Sequence, residues 1–157
     1  MIASELLYEA ALLDAEIADD EEQSRAIDYI RNHLDDFPDK IQKTLDTLLY
    51  LLTLKTTFFF ERQVTNTIVS LLTTFRDKTL IIQVLPYLFG DTRYFQHKLV
   101  RTVGELKLRE AVPYLSILLP YAHPDFQHFV IRALRNIDSP DAVFVLYTWF
   151  NRGKHVT

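Results

Sequence analysis

Apolar residues recur along most of the chain at intervals of three and four residues, which is the spacing of one face of an α-helix. In the first third of the chain, the pattern predicts helices over Ser4–Ile17 and Glu22–Leu34, and a third that begins near Pro38. Ser4 is a suitable cap for the first helix. The apolar face of that helix consists of Leu6, Leu7, Ala10, Leu13 and Ile17.

The same pattern occurs twice between Thr92 and Phe150, at a distance of 31 residues. When Tyr94–Leu119 is aligned with Asp125–Phe150, 7 of 26 positions are identical. Subtracting 31 carries the apolar positions back to Glu61–Leu88. A fixed period with apolar positions in phase predicts a repeat array. We therefore predict one domain over residues 1–157, with repeats at 61–90, 92–121 and 124–150 after a divergent, partly acidic N-terminal part at 1–54 and before a tail at 151–157.

Two stretches of the repeats resemble the HEAT-like repeat family, in its short bacterial form. They are Ala111-Val112-Pro113-Tyr114-Leu115 and the run from Ala133 to Val143, in which a helix end is followed by Asp-Ser-Pro-Asp and then Ala-Val. The resemblance is clearest over residues 92–150. It implies an all-α fold, a right-handed α-α superhelix of about eight or nine helices, in which the second helix of each pair lines the concave side.

Composition narrows the class of protein further. Only 3 glycines and 6 prolines argue against an all-β fold, which needs many tight turns. The absence of cysteine leaves no disulfide and favours the cytoplasm. No basic region precedes an apolar run at the N-terminus, and no apolar stretch reaches the ~20 residues of a membrane span, so we expect neither a signal peptide nor a membrane partner.

Two local clusters stand out in the first half of the chain. The run Asp14–Glu22 holds six acidic residues and no basic one, and we interpret it as a solvated turn because it lacks the glycine and the alternating ligands of a calcium loop. Phe58-Phe59-Phe60 cannot all lie on one face of a helix. We predict that these rings form a buried connector between hairpins rather than an exposed contact for a partner, since contiguous exposed aromatic residues are uncommon.

The second helices of the repeats are apolar on the side that should face solvent. Charged residues are missing there, as in the core of a protein interface. The predicted partner-binding residues are Ile82, Leu85, Pro113, Tyr114, Ile117, Tyr121, Phe144 and Tyr147. Two interpretations remain open: these residues form a concave groove for a helix or peptide of another protein, or the chain itself covers them.

Basic residues suggest an alternative function. Lys98, Arg101, Arg132 and Arg135 recur at related positions of two repeats and could form a ladder along one surface. Such a ladder could follow nucleic-acid phosphates, as in the HEAT-like DNA glycosylases that this pattern resembles. The competing interpretation is that these arginines pair with neighbouring acids such as Glu105. We regard nucleic acid as the less favoured partner.

No catalytic equipment is recognisable in the sequence. It contains no phosphate-binding loop, nucleophile elbow or zinc motif. His97 and His128 lie one period apart, but packed helices are ~8–10 Å apart, so we expect two exposed histidines rather than a metal site. We predict a non-enzymatic adaptor or complex subunit without cofactor or metal. The last helix has almost no polar side, which predicts a homodimer through this end of the array.

Overall fold

The computed structural model describes residues 2–54 and 57–153, and in these ranges the chain is helical and contains no strand. The nine α-helices of the described residues are α1 (Ile2–Ile17), α2 (Asp20–Asn32), α3 (Ile41–Thr53), α4 (Phe58–Phe75), α5 (Lys78–Val84), α6 (Arg93–Glu105), α7 (Val112–Tyr121), α8 (Pro124–Ile137) and α9 (Pro140–Phe150). Short 3₁₀ helices occupy Leu34–Asp36, Pro38–Lys40, Leu85–Phe89 and Arg109–Ala111. The all-α class and the helix count are confirmed, whereas the superhelix and its handedness stay predictions.

The chain divides into two compact units, residues 1–81 (unit 1) and residues 82–157 (unit 2). The boundary lies within α5 and therefore within the first predicted repeat. The single domain over 1–157 stays a prediction. The last four residues of the predicted tail, 154–157, lie outside the described residues.

Unit 1 is built from α1 to α4, each of which packs against two of the others. The contacts join α1 to α2 and α3, and α4 to α2 and α3. Their shared core is aliphatic, and its fully buried side chains include Ile27, Ile30, Leu45, Leu48, Ile68 and Leu71. The hairpin between α1 and α2 is closed by a side chain, because Gln23 Nε2 donates to the Ala15 carbonyl oxygen at 2.9 Å.

Helix α1 is present as predicted, but it buries a different face. The residues assigned to its apolar face are exposed, and its buried residues are Tyr8, Ala11, Leu12 and Ala15. Small alanines let the neighbouring helices approach closely, and the Tyr8 ring fills the remaining space against Phe37, at a centroid distance of 4.8 Å. The helix also begins at Ile2, so Ser4 lies inside it and does not cap it.

The aromatic triplet is also placed differently from the prediction. Thr57 caps α4 by accepting a hydrogen bond from the Phe60 backbone nitrogen at 3.3 Å, so the triplet forms the first turn of this helix. Successive residues of a helix point in different directions, and only Phe60 is buried, while Phe58 and Phe59 are exposed. The predicted buried connector is therefore wrong for two of its three rings.

Unit 2 is organised around α8, which packs against α6, α7 and α9. Helix α7 also contacts α9 and the 3₁₀ helix Leu85–Phe89, which in turn contacts α6. Helices α6 and α8 approach each other closely at Gly104, where an added Cβ atom would lie 2.8 Å from the Ala133 Cα atom. Glycine is needed at this position because any side chain would push the two helices apart.

The 31-residue period of the sequence is also a period of local structure. Arg76, Lys107 and Asp138 follow the helix ends of successive repeats, and all three have left-handed backbones with φ between 50° and 52°. Gln96 Nε2 donates to the Leu88 carbonyl oxygen at 2.8 Å, and one period later Gln127 Nε2 donates to the Leu119 carbonyl oxygen at 3.0 Å. Equivalent positions thus make equivalent turns and equivalent hydrogen bonds.

Candidate interaction surface

The predicted partner-binding residues all belong to unit 2, and all but one reach its surface. Tyr121 and Phe144 are the most open, with 88% and 69% of their area exposed, and Tyr114 is half-buried. The residues that reach the surface form what we call the apolar strip: Ile82, Pro113, Tyr114, Ile117, Tyr121, Phe144 and Tyr147. None of them carries a charge.

Leu85 was wrongly assigned to this surface, because its side chain is fully buried. The prediction continued the α-helical phase through Leu85, but α5 ends at Val84 and a 3₁₀ helix with Pro86 near its start follows. In a 3₁₀ helix, residues three apart lie on the same face. Leu85 therefore shares the buried face with Leu88.

Helix geometry brings the strip residues of α7 and α9 to neighbouring surfaces. On α7, successive strip residues are separated by one, three and four positions, so they occupy one side of the helix. Helix α9 contacts α7 directly and carries Phe144 and Tyr147 three positions apart on its exposed side. Exposure also repeats with the period, since Pro113 and Phe144 occupy equivalent positions and both are exposed.

One aromatic residue of this surface was missed by the sequence analysis. Phe89 is half exposed, and its ring stacks on that of Tyr114 with centroids 5.8 Å apart. It is the last residue of the 3₁₀ helix that buries Leu85 and Leu88. The sequence pattern did not indicate Phe89, because the α-helical spacing ends at Val84 and Phe89 lies in the 3₁₀ helix that follows.

The predicted basic ladder is only partly available for an anionic ligand. Arg101 pairs with Glu105, its Nε atom lying 3.0 Å from a carboxylate oxygen, as the competing interpretation predicted. The Lys98 ammonium lies 5.7 Å from the centre of the Tyr94 ring. Arg132 and Arg135 are exposed on α8, which packs against α6, the helix that carries Lys98 and Arg101. Nucleic-acid binding stays a prediction.

His97 is half-buried rather than exposed, while His128 is exposed. The His97 ring stacks on Phe126 at a centroid distance of 4.4 Å and meets the edge of Phe129 at 5.0 Å. Burial, and secondly the charge of Arg93, lower the pKa of His97 below its usual 6.5. Across residues 2–54 and 57–153, no three His, Cys, Asp or Glu side chains are grouped as a metal site would require.

Comparison with known proteins adds no relative. No family model matches the chain, and neither a curated protein nor a solved structure shows significant similarity to it. The HEAT-like resemblance therefore stays a prediction that depends on the repeat itself. In the part of the chain that the structure describes, no helix combines the length and the apolar composition needed to cross a bilayer.

Proposed function

We propose that this protein is a non-catalytic interaction module, an adaptor or complex subunit, whose apolar strip receives a helix or peptide of another protein. The observation that carries the proposal is the exposure of uncharged aromatic and aliphatic side chains on adjacent helices of unit 2. Removal of such surface from water contributes roughly 25 cal/mol per Å² of apolar area. Tyrosine is also among the residues enriched at binding hot spots. The absence of cysteine supports a cytoplasmic location.

The exposure supports the groove over the alternative that the chain covers these residues. Four strip residues, Ile117, Tyr121, Phe144 and Tyr147, have more than half of their area in contact with solvent. Exposed apolar surface on neighbouring helices often marks an interaction site in a soluble protein. The superhelical HEAT-like arrangement would give the strip the concave shape that suits an elongated partner.

The end of the predicted array supports the homodimer as a second proposal. Val112 and Leu119 of α7 are buried, but the equivalent Val143 and Phe150 of α9 are each about half exposed. A second copy that packs on α9 would bury Val143 and Phe150, just as Val112 and Leu119 are buried in the preceding repeat. Sedimentation velocity over a wide concentration range is the test. A monomer at every concentration contradicts this second proposal but leaves the strip intact.

A photo-crosslinking experiment tests the strip in its native cell. Benzoylphenylalanine replaces Tyr121, and in a matched control it replaces Tyr50, which is half exposed on α3 of unit 1. We expect a discrete crosslinked protein only from position 121. The same protein, once identified and purified, should bind at least tenfold more weakly to the Ile117→Ser and Phe144→Ser variants.

The proposal fails if positions 121 and 50 yield the same crosslinked proteins, or if folded strip variants bind the identified partner as well as the parent chain does. Circular dichroism of the variants separates lost binding from lost structure. Both substitutions are at exposed positions, so we expect a change in unfolding free energy of no more than about 0.5 kcal/mol.

A further inference from the structure

Helix α1 of unit 1 buries one face in the core and exposes a second apolar face. Four aliphatic side chains of that face have more than half of their area open to solvent: Leu6, Leu7, Leu13 and Ile17. Ala10 is exposed between them. A surface helix normally carries polar residues on the side that faces away from its core. The second apolar face is therefore a candidate interaction surface, and it lies outside the apolar strip of unit 2.

The exposed residues have the spacing of a coiled-coil contact. Leu6, Ala10, Leu13 and Ile17, which we call the α1 seam, are separated by four, three and four positions. This is the alternation of d and a positions in a heptad, with the two leucines at d and Ala10 and Ile17 at a. Leucine at d with a β-branched residue at a is typical of a contact between two helices.

The buried residues of α1 occupy the complementary heptad positions. Positions b, c and f lie on the side opposite to the seam, and they are occupied by Ala11, Leu12, Tyr8 and Ala15. The core of unit 1 thus holds α1 by its back and leaves its a and d positions open. One helix of a two-helix contact is present, and the position of its partner is empty in the part of the chain that the structure describes.

A groove beside the seam gives a second helix room to pack. It lies between α1 and α3, and its volume is about 400 Å³. Its lining includes Leu6, Ala10 and Leu13 of the seam, together with Lys43 and Thr47 of α3. Side chains of a helix that packs on the seam can therefore insert between α1 and α3 instead of resting on one helix alone.

The charges beside the seam are acidic. The e and g positions flank a contact between two helices, and on α1 they hold Leu7 and three acids, Glu9, Asp14 and Glu16. Glu9 is already paired with two lysines, but Asp14 and Glu16 are exposed and form no ion pair with the described residues. Residues 2–22 contain eight acidic and no basic side chains, so the field around the seam attracts cations.

Charge complementarity selects the occupant of the seam. In a parallel pair of helices, g positions face e positions of the partner, and in an antiparallel pair like positions face each other. Two copies of α1 would bring carboxylates together in either orientation, and an anionic membrane surface would also be repelled. A helix with lysine or arginine at its e and g positions would instead meet Asp14 and Glu16 with opposite charge.

We propose that the α1 seam binds a basic amphipathic helix of another protein. The apolar residues of that helix pack on Leu6, Ala10, Leu13 and Ile17, and its basic residues pair with Asp14 and Glu16. Exposed ion pairs contribute little to affinity, so the seam supplies most of the binding and the flanking charges select the partner. The seam is independent of the apolar strip, and a protein that has both surfaces can link two partners.

The test is a fluorescence-anisotropy titration of labelled peptides with the full-length protein. The basic peptide is three heptads long, with isoleucine at a, leucine at d, and lysine at e and g. An acidic twin has glutamate at e and g, and a scrambled peptide has the basic composition without the heptad spacing. We expect saturable binding of the basic peptide and at least tenfold weaker binding of the other two. No saturable binding, or equal binding of either control peptide, overturns the proposal.

Variants of the protein locate the site. Leu13→Ser should weaken binding of the basic peptide at least tenfold, through loss of one d position. Phe59→Ser is the matched control, because it removes an equally exposed apolar side chain of unit 1 that does not line the groove, and it should leave binding unchanged. Glu16→Lys should weaken the basic peptide at least threefold and strengthen the acidic twin. Circular dichroism confirms that each variant is folded.

Three results would contradict the proposal. Folded Leu13→Ser could bind the basic peptide as the parent chain does, or Phe59→Ser could weaken binding as much as Leu13→Ser. Sedimentation could also show a dimer of the parent chain that Leu13→Ser abolishes, which would make a second copy the occupant. The strip variant Ile117→Ser should bind the peptide normally, so failure of the seam and failure of the strip are distinguishable. Tyr50 does not line the groove, so it stays a control for the strip.

Discussion

The interior of unit 1 and the interior of unit 2 are stabilised by different interactions. Of the buried polar side chains in the described residues, Thr44, Thr47, Gln63, Thr65 and Thr67 lie in unit 1, and Thr102 alone lies in unit 2. Unit 1 adds to its aliphatic core a few buried polar links between helices, from Tyr8 to Thr44 and from Gln63 to Ser24 and Asp28. Unit 2 uses close packing and hydrogen bonds that recur every 31 residues. The structure of unit 2 follows a repeat that is visible in the sequence, whereas the contacts of unit 1 follow no repeat and are therefore harder to predict.

The polar links of unit 1 join helices that are distant in sequence. The Tyr8 hydroxyl and the Thr44 hydroxyl share a buried hydrogen bond of 2.7 Å between α1 and α3. Thr44 also donates to the Lys40 carbonyl oxygen at 2.8 Å. The Glu9 carboxylate of α1 accepts from Lys40, the last residue of the 3₁₀ helix before α3, at 2.7 Å and also from Lys43 of α3. These links lower the pKa of Glu9 and raise that of Lys40.

The largest expected effect tests which face of α1 is packed in the core of unit 1. Tyr8→Ala removes a buried ring and its hydrogen bond, and we expect the unfolding free energy to fall by about 3–5 kcal/mol. Leu13→Ala is the control, because Leu13 belongs to the exposed stripe that the sequence pattern favours, and its effect should stay within about 0.5 kcal/mol. Urea unfolding followed by far-ultraviolet circular dichroism measures both. A larger loss at Leu13 than at Tyr8 would reverse our assignment of the buried face.

The second effect tests the close packing of unit 2. Alanine in place of glycine within a helix normally stabilises by about 1 kcal/mol. At Gly104 the new methyl group would meet the backbone of Ala133, and overpacking costs about 1–3 kcal/mol, so we expect Gly104→Ala to be destabilising overall. Gly90→Ala is the comparison, since its added Cβ would lie 3.3 Å from the Tyr87 carbonyl oxygen, a tight contact but a milder one than the 2.8 Å contact at Gly104, and its φ of −75° suits alanine.

The fluorescence of Trp149, the only tryptophan of the chain, follows the unfolding of unit 2 in these variants. Gly104→Ala should shift the urea midpoint downward relative to Gly90→Ala. A higher midpoint for Gly104→Ala than for Gly90→Ala would contradict this prediction, because it would show that α6 and α8 can move apart without a loss of stability.

A smaller effect tests the recurrent hydrogen bond of unit 2. Gln127→Met keeps the length of the side chain but removes its bond to the Leu119 carbonyl oxygen, and we expect a loss of about 1 kcal/mol. Gln42→Met is the control, because Gln42 is exposed and its side chain bonds to Asp46 within the same helix. Calorimetric unfolding of the two variants gives the comparison. Equal losses would show that the link to Leu119 is no stronger than an ordinary surface hydrogen bond.

The smallest effect concerns the acid sensitivity of unit 2. Burial and the nearby Arg93 lower the pKa of His97, so the folded state holds fewer protons than the unfolded chain just below pH 6.5. The contribution of His97 to stability is therefore fully present above the unfolded pKa and is lost as the pH falls through the folded pKa. An NMR titration of the imidazole protons should place the pKa of His97 below 6.5, and Arg93→Gln should raise it. A value at or above 6.5 would contradict the packing of this ring against Phe126.

Periodicity predicted the helices well, because every helix must bury one apolar face whatever its partner. It predicted most of the apolar strip for the same reason, since α7 and α9 have more apolar positions than their contacts can bury. Periodicity could not, however, predict which of two apolar faces of a helix is the buried one. On α1 the leucines are the stronger hydrophobic signal, but alanine and tyrosine fit the neighbouring helices better.

The remaining errors have local causes that a single sequence does not show. Leu85 turned inward because a 3₁₀ helix replaced the α-helix after Val84. Phe58 and Phe59 turned outward because Thr57 starts a helix where a connector was expected. The hydrogen bonds of Gln63 join α4 to α2, between residues that are 35 and 39 positions apart in sequence. Such contacts carry no periodic signal.

The left-handed residues after three helix ends offer a route to a sturdier protein. Arg76, Lys107 and Asp138 all adopt a backbone that glycine tolerates best, yet none of them is glycine. Relief of that backbone should gain about 1–2 kcal/mol, and the greater freedom of glycine in the unfolded chain should take back about 0.5–1 kcal/mol. Glycine at the exposed Lys107 should therefore raise the melting temperature slightly, and an engineer could improve the fold at its turns while leaving both proposed binding surfaces untouched.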